Sequence, residues 1–131
     1  MFVDSSALTA ILLKENDRAE LLAKVKASRR YTSAIVIYET VLAVARNGDK
    51  SLSESEVVVM AFLRAANIQI LPIELRHTVV AISAFDKYGK GRQNKAKLNM
   101  GDCFSYASAK IQKQALVFKG NDFIHTDIEI A

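Results

Sequence analysis

Four carboxylates in this chain occupy positions where an acid needs a reason. Asp4 closes the short apolar run of residues 1–4 (MFVD) and opens an apolar helical pattern. Glu39 has Ile35, Val36, Leu42 and Ala43 as its helical i±3 and i±4 neighbours, so it projects from a face that should be buried. Asp102 follows Asn99, Met100 and Gly101 at the start of another helical pattern, and Asp122 follows the apolar run ALVF and the turn Lys119-Gly120-Asn121. Each has a plain structural role open to it. Asp4 suits a helix N-cap, Glu39 an internal salt bridge, Asp102 a helix-dipole partner and Asp122 an Asx-turn. Brought together they would repel one another. They would also form the set of hard oxygen ligands that Mg²⁺ or Mn²⁺ takes, usually one or two carboxylates completed by water and phosphate. Such a site suits phosphodiester hydrolysis, because the ion orients water and offsets the charge of the phosphate.

What could bring them together is legible in the hydrophobic pattern. Residues 1–4, 31–33, 68–72 and 115–118 read as short apolar strands, with 127–130 a fifth candidate. Helices are expected over 5–13, 17–27, 34–46, 53–66, 74–88 and 102–114. Asn47-Gly48 should end the third, Ser53 and Glu56 should form a capping box on the fourth, and Gly89 should stop the fifth. Residues 90–98 read as a basic connector. Strands alternating with helices imply βα units and a parallel sheet covered on both faces, that is, an α/β sandwich. In such sheets chemistry gathers at the carboxyl ends of the strands, where these acids fall.

The 131 residues suit a single domain spanning 1–131, and 18 Lys and Arg against 14 Asp and Glu leave a net charge of +4 that permits a polyanionic partner. One cysteine, Cys103, rules out an internal disulfide and a four-cysteine zinc site, and points to a reducing, cytoplasmic setting. No membrane partner is expected. The longest apolar stretch, residues 35–45, is broken by Tyr38, Glu39 and Thr40 and is too short to span a bilayer, and the N-terminus has no basic leader.

With the acids, several motifs make the chain resemble the PIN-domain ribonucleases, and among them the VapC-type toxins of prokaryotic toxin–antitoxin pairs. They are FVDSSAL at 2–8, TSAIVIYE at 32–39, YGKGR at 88–92, LNMGDCFSYASAK at 98–110 and FKGNDF at 118–123, with Thr126-Asp127 beyond. The resemblance implies a three-layer α/β/α sandwich and a Mg²⁺-dependent endoribonuclease that leaves a 3′-hydroxyl and a 5′-phosphate. It assigns the metal to Asp4 and Asp102, and a role through water to Glu39. Asp122 matches the second of two acids that many relatives carry here, the first being replaced by Gly120. A cognate antitoxin that blocks the active site and a homodimer are implied as partners.

Other residues complete the expected site. Ser6 and Ser33 match hydroxyl positions near the family's acids, and Asn99 lies one turn before Asp102; each also suits a capping or turn role. Lys87, Lys90, Arg92, Lys95 and Lys97 place five positive charges in 11 residues. Beside a carboxylate cluster, Lys90, Arg92 and Lys95 would contact an RNA backbone, and Lys119 joins them from beside the fourth acid. His77 is expected at the surface or facing a partner, His125 in the loop after Asp122, and Cys103 in a core stripe with Met100, Phe104, Ala107 and Ile111. Helix 53–66 is more apolar than one buried face needs, so it is either buried all round or meets another chain. Two rival functions are weighed. A phosphatase of the haloacid-dehalogenase kind needs a second acid two residues after the first, and Ser6 stands there. A non-catalytic RNA- or protein-binding module would need no acids at four strand ends.

Overall fold

The computed structural model describes residues 1–131. In chain order the elements are β1 (Phe2–Val3), α1 (Ser5–Leu12), α2 (Arg18–Lys26), β2 (Tyr31–Ser33), α3 (Ala34–Gly48), α4 (Leu52–Ala65), β3 (Gln69–Leu71), α5 (Leu75–Tyr88), α6 (Met100–Ile111) and β4 (Leu116–Val117). The four strands form one parallel sheet in the order β3-β2-β1-β4. Six helices flank it, as the alternating pattern predicts. The chain steps outward from β1 to β3, then crosses back to lay β4 on the other side of β1. That reversal puts a topological switch point between β1 and β4, where the carboxyl ends splay apart and a site can form.

Burial explains why such short strands hold. Phe2, Val3, Leu116 and Val117 are all buried, and they belong to one core with Leu8, Ile11, Leu63, Leu98 and Phe123. Strands β1 and β4, packed on both faces, are continuous apolar runs of two residues each, while the edge strand β3 is largely exposed. The register pairs Phe2 with both Tyr31 and Leu116, and Ser33 with Leu71. No helix is long and apolar enough to cross a membrane.

Four sequence-based expectations shift. Helix α3 runs through Asn47 and Gly48, and the left-handed residue that ends it is Asp49, at φ 50°. The capping box of α4 is Ser51 with Glu54, two residues before the expected Ser53 and Glu56. The run SLSESE offers the same Ser-x-x-Glu spacing twice, and the three-residue connection from α3 takes the earlier one. Helix α6 begins at Met100 rather than Asp102, because the Asn99 side chain caps it. Residues 127–130 form only a single parallel bridge, Leu116 to Ile130, beside β4.

His77 is the clearest correction. It is 1% exposed, not at the surface. Its Nδ1 accepts the Glu74 backbone N–H at 2.9 Å, closing a capping box at the start of α5. As for α4, it is neither buried all round nor wholly free: Ser55, Val59 and Leu63 face the core, while Leu52 and Val57 are exposed.

Candidate active site

Asp4 caps α1 from the end of β1, so the cap role and a site role are met by the same residue. Its carboxylate is 1% exposed and held from three directions. Oδ2 accepts the Ser6 backbone N–H at 2.9 Å and the Ser6 hydroxyl at 2.6 Å, and Oδ1 accepts the Ser105 hydroxyl at 2.6 Å. Ser6 Oγ in turn accepts the Lys119 backbone N–H at 3.0 Å, which ties the end of β4 to the end of β1. A buried carboxylate with these donors has one orientation. None of the donors is a cation, so its charge is left uncompensated.

Asp102 stands at the third position of α6. The Asn99 side chain accepts its backbone N–H, and Asp102 Oδ2 accepts the Asn99 N–H, both at 2.9 Å. This box occupies one carboxylate oxygen and aims the side chain across the helix start. Burial pushes the Asp102 carboxyl up to about 7, and the charges of Asp4, Asp122 and Glu39 push the same way, against the Asn99 hydrogen bond. Asp4, Asp122 and Glu39 thus lie near enough for their charges to act on Asp102. Burial also raises Glu39, followed by the charge of Asp4, with the Ser5 hydroxyl opposing.

Gly101 explains how Glu39 gets in. A Cβ on residue 101 would lie 1.9 Å from Glu39 Oε1, so the Glu39 carboxylate occupies the space that a side chain would fill. Asp122 is exposed beyond Gly120, whose φ of +100° is the left-handed turn that glycine permits. None of the four acids is ion-paired to a Lys, Arg or His. No three acids, with or without His or Cys, lie close enough together to enclose an ion unaided. Carboxylate oxygens suit a hard divalent cation, which at most two of these acids would hold together, with water completing its shell.

The other expected residues divide. Ser6 belongs to the site through Asp4. Ser33 is buried and caps α3, accepting the Val36 N–H at 3.4 Å, and makes no bond to an acid. Asn99 acts through its box with Asp102. Lys119 is not free for RNA, because its ammonium is paired with Glu15 and, at 3.1 Å, with Asp17. Lys90, Lys95 and Arg92 are exposed on the connector that leads into α6, and Arg92 also pairs with Asp86 at 3.4 Å. Burial pushes the Cys103 thiol up to about 11, with Asp102 adding to the shift, so Cys103 is no nucleophile at neutral pH. His125 is exposed in the loop after Asp122.

Ser105 is the site residue that sequence reasoning missed. Its signal was spacing: it lies one turn after Asp102, so the two share a face of α6. The apolar stripe through Cys103 and Phe104 drew the reading of that helix toward the core instead.

The family model described as the PIN domain matches residues 1–129. A VapC ribonuclease of Mycobacterium bovis is 41% identical over 130 residues, which cover 98% of this chain and 95% of that protein. The chain belongs to the PIN-domain family, among the VapC ribonucleases. A second relative of this PIN domain, the ribonuclease VapC of Mycolicibacterium smegmatis, is 37% identical over 131 residues, covering 98% of this chain and 97% of its own. Solved structures share the fold at lower identity. Mycobacterium tuberculosis VapC20, described as a sarcin-ricin loop cleaving toxin, superposes with a TM-score of 0.76 at 17% identity, covering 99% of this chain and 97% of that one. A toxin–antitoxin complex from Klebsiella pneumoniae gives 0.69 at 14%, covering 99% and 95%.

Proposed function

We propose that this PIN domain, residues 1–131 acting as one unit in the cytoplasm, is the toxin of a VapBC-type pair and cuts RNA as a Mg²⁺-dependent endoribonuclease. The observation that carries this reading is Asp102: a partly buried acid facing three others, with no protein cation to neutralise it. Asp4 and Asp102 would hold the ion, and Glu39 and Asp122 would order water or a second ion. When bound, a divalent cation offsets the negative charge of the scissile phosphate and acidifies water. The chain's own residues prepare the ground. Ser6 and Ser105 fix the Asp4 carboxylate, the Asn99 box aims Asp102, and Gly101 leaves room for Glu39. Lys90, Arg92 and Lys95 lie on the connector into the same helix and supply the positive wall that an RNA backbone needs next to four acids.

The kinship with VapC ribonucleases supports a cognate antitoxin as protein partner. A homodimer is supported by α5, where Leu75, Val79 and Ile82 repeat at helical spacing and are each more than 60% exposed. The test of the function is cleavage of total cellular RNA with Mg²⁺. Wild type should cut, excess chelator should stop it, and Asp4→Asn and Asp102→Asn should lower cleavage to background while remaining folded. Cleavage that survives chelation or either substitution would refute the metal mechanism, and a wild type that cuts no RNA would leave a binding module on the same fold.

A further inference from the structure

The amino ends of β2 and β3 border a cavity of about 510 Å³ lined by Lys26, Ser28, Arg29, Arg30, Asn67 and Gln69. No lining residue is apolar and none is acidic. Lys26 ends α2, residues 28–30 lead into β2, and Asn67 and Gln69 lead into β3. The cavity therefore lies at the end of the sheet opposite to Asp4 and Asp102.

Three of its residues are cations, and none of the three is in an ion pair. The Met1 amino group donates to the Arg29 carbonyl at 2.6 Å, which holds the backbone there in place. Part of this charge has a structural use. Arg30 Nη1 donates to the Val25 carbonyl at 3.0 Å, which satisfies the open end of α2. That bond also anchors the guanidinium, and it leaves Arg30 Nε buried with no acceptor. Capping does not account for Lys26 or Arg29, whose side chains are exposed. Anchored guanidinium, free ammonium, hydroxyl and side-chain amides form a donor set that matches a phosphate oxyanion in charge and hydrogen-bonding character.

We propose that this cavity binds a phosphodiester group of an RNA strand, as a second contact remote from the acids. The proposal rests on the reading of the chain as an RNA enzyme, but not on the chemistry at Asp4 and Asp102. A three-residue strand spans about 10 Å, so a strand held at both ends must pass round the edge of the sheet. The two contacts would favour longer RNA over fragments that reach only the acids.

The experiment is binding of a labelled single-stranded RNA oligonucleotide to the full chain in excess chelator, followed by anisotropy across a salt series. Lys26→Gln with Arg29→Gln removes two exposed cations and keeps the Arg30 cap. The log–log salt slope should fall by about 0.7, since the one phosphate held here contributes about 0.7 on a single strand. Arg46→Gln with Lys50→Gln removes the same charge from exposed positions outside the cavity and should leave the slope unchanged. An unchanged slope in the first pair, or an equal fall in both, would overturn the proposal. The Arg30 Nε–H resonance supplies a direct readout. The oligonucleotide should shift it at concentrations well below those at which inorganic phosphate does, and equal or tighter binding of inorganic phosphate would overturn the assignment to RNA. The slope is read from binding alone, so it stands or fails independently of cleavage at Asp4 and Asp102.

Discussion

Two carboxylates beside α6 behave in opposite ways. Asp102, on the first turn, faces Asp4, Glu39 and Asp122 and is pushed up to about 7 by burial and then by those charges. Asp127, beside the last turns, accepts the Tyr106 hydroxyl at 2.6 Å and pairs with Lys110 at 3.2 Å. Its carboxyl is held down at about 2, chiefly by the Tyr106 hydrogen bond. The same residue type serves two purposes within one helix length. At Asp127 the fold supplies the partners, and the acid fastens residues 126–128 to α6. At Asp102 the fold supplies more acids, and the partner has to come from outside. An acid left without a cation by a fold that readily pairs its neighbour is the mark of a binding site.

The largest expected contrast lies in cleavage. Asp102→Asn should lower RNA cleavage to background, and Asp127→Asn should leave it within about twofold, since an exposed pair of this kind contributes little. A comparable loss in both would break the distinction. Next comes Ser105→Ala, which removes one of three donors to Asp4. Removing a group that orients a metal ligand costs about 10- to 100-fold in metal affinity or activity, so the Mg²⁺ concentration giving half-maximal cleavage should rise. The variant should also lose about 1–3 kcal/mol of stability, because Asp4 Oδ1 is buried and loses its donor. Gly101→Ala separates helix from site. Alanine favours a helix interior by up to about 1 kcal/mol, yet its Cβ would displace the Glu39 carboxylate. Retained stability with activity down by about tenfold is expected; unchanged activity would show that Glu39 need not lie against α6. The smallest effect belongs to Tyr106→Phe. It should cost about 1 kcal/mol in denaturant unfolding, with no change in cleavage.

Much of this was legible from residue types. The parallel sheet, the six helices and the positions of all four acids follow from apolar runs and their flanking polar residues. The acidic part of the site was legible at Asp4 and Ser6 because both sit on a strand-to-helix turn, where local spacing sets geometry. Three features were not legible, for one shared reason. Ser105 meets Asp4 across about a hundred residues of chain. Lys119 is claimed by Glu15 and Asp17 across a similar separation. Which Ser-x-x-Glu caps α4 is decided by the connection from α3. Each depends on which elements become neighbours, and periodicity reports an element's face without naming what it meets. His77 was misread for a different reason: Glu74-x-x-His77 is a capping box in which imidazole replaces the usual carboxylate or amide.

The claim on which everything rests is that the four acids converge and leave Asp102 with a repelled charge. Thermal melting of the metal-free protein from about pH 5 to about pH 8, with and without Mg²⁺, tests it most directly. The Asp102 carboxyl is raised from 3.8 to about 7 in the folded chain, so between those values the folded state binds more protons than the unfolded one. Its contribution to stability is complete below 3.8 and is lost as pH rises through about 7. Asp127 has the opposite sign and a separate window, since its contribution is present above 3.8 and is lost as pH falls through about 2. The metal-free midpoint should therefore fall as pH rises toward about 8, Mg²⁺ should restore most of the loss there, and Asp102→Asn should abolish most of the slope without metal. A midpoint that is flat or rising over this range, unmoved by Mg²⁺ and by the substitution, would contradict the convergence of the acids and the cation site built on it.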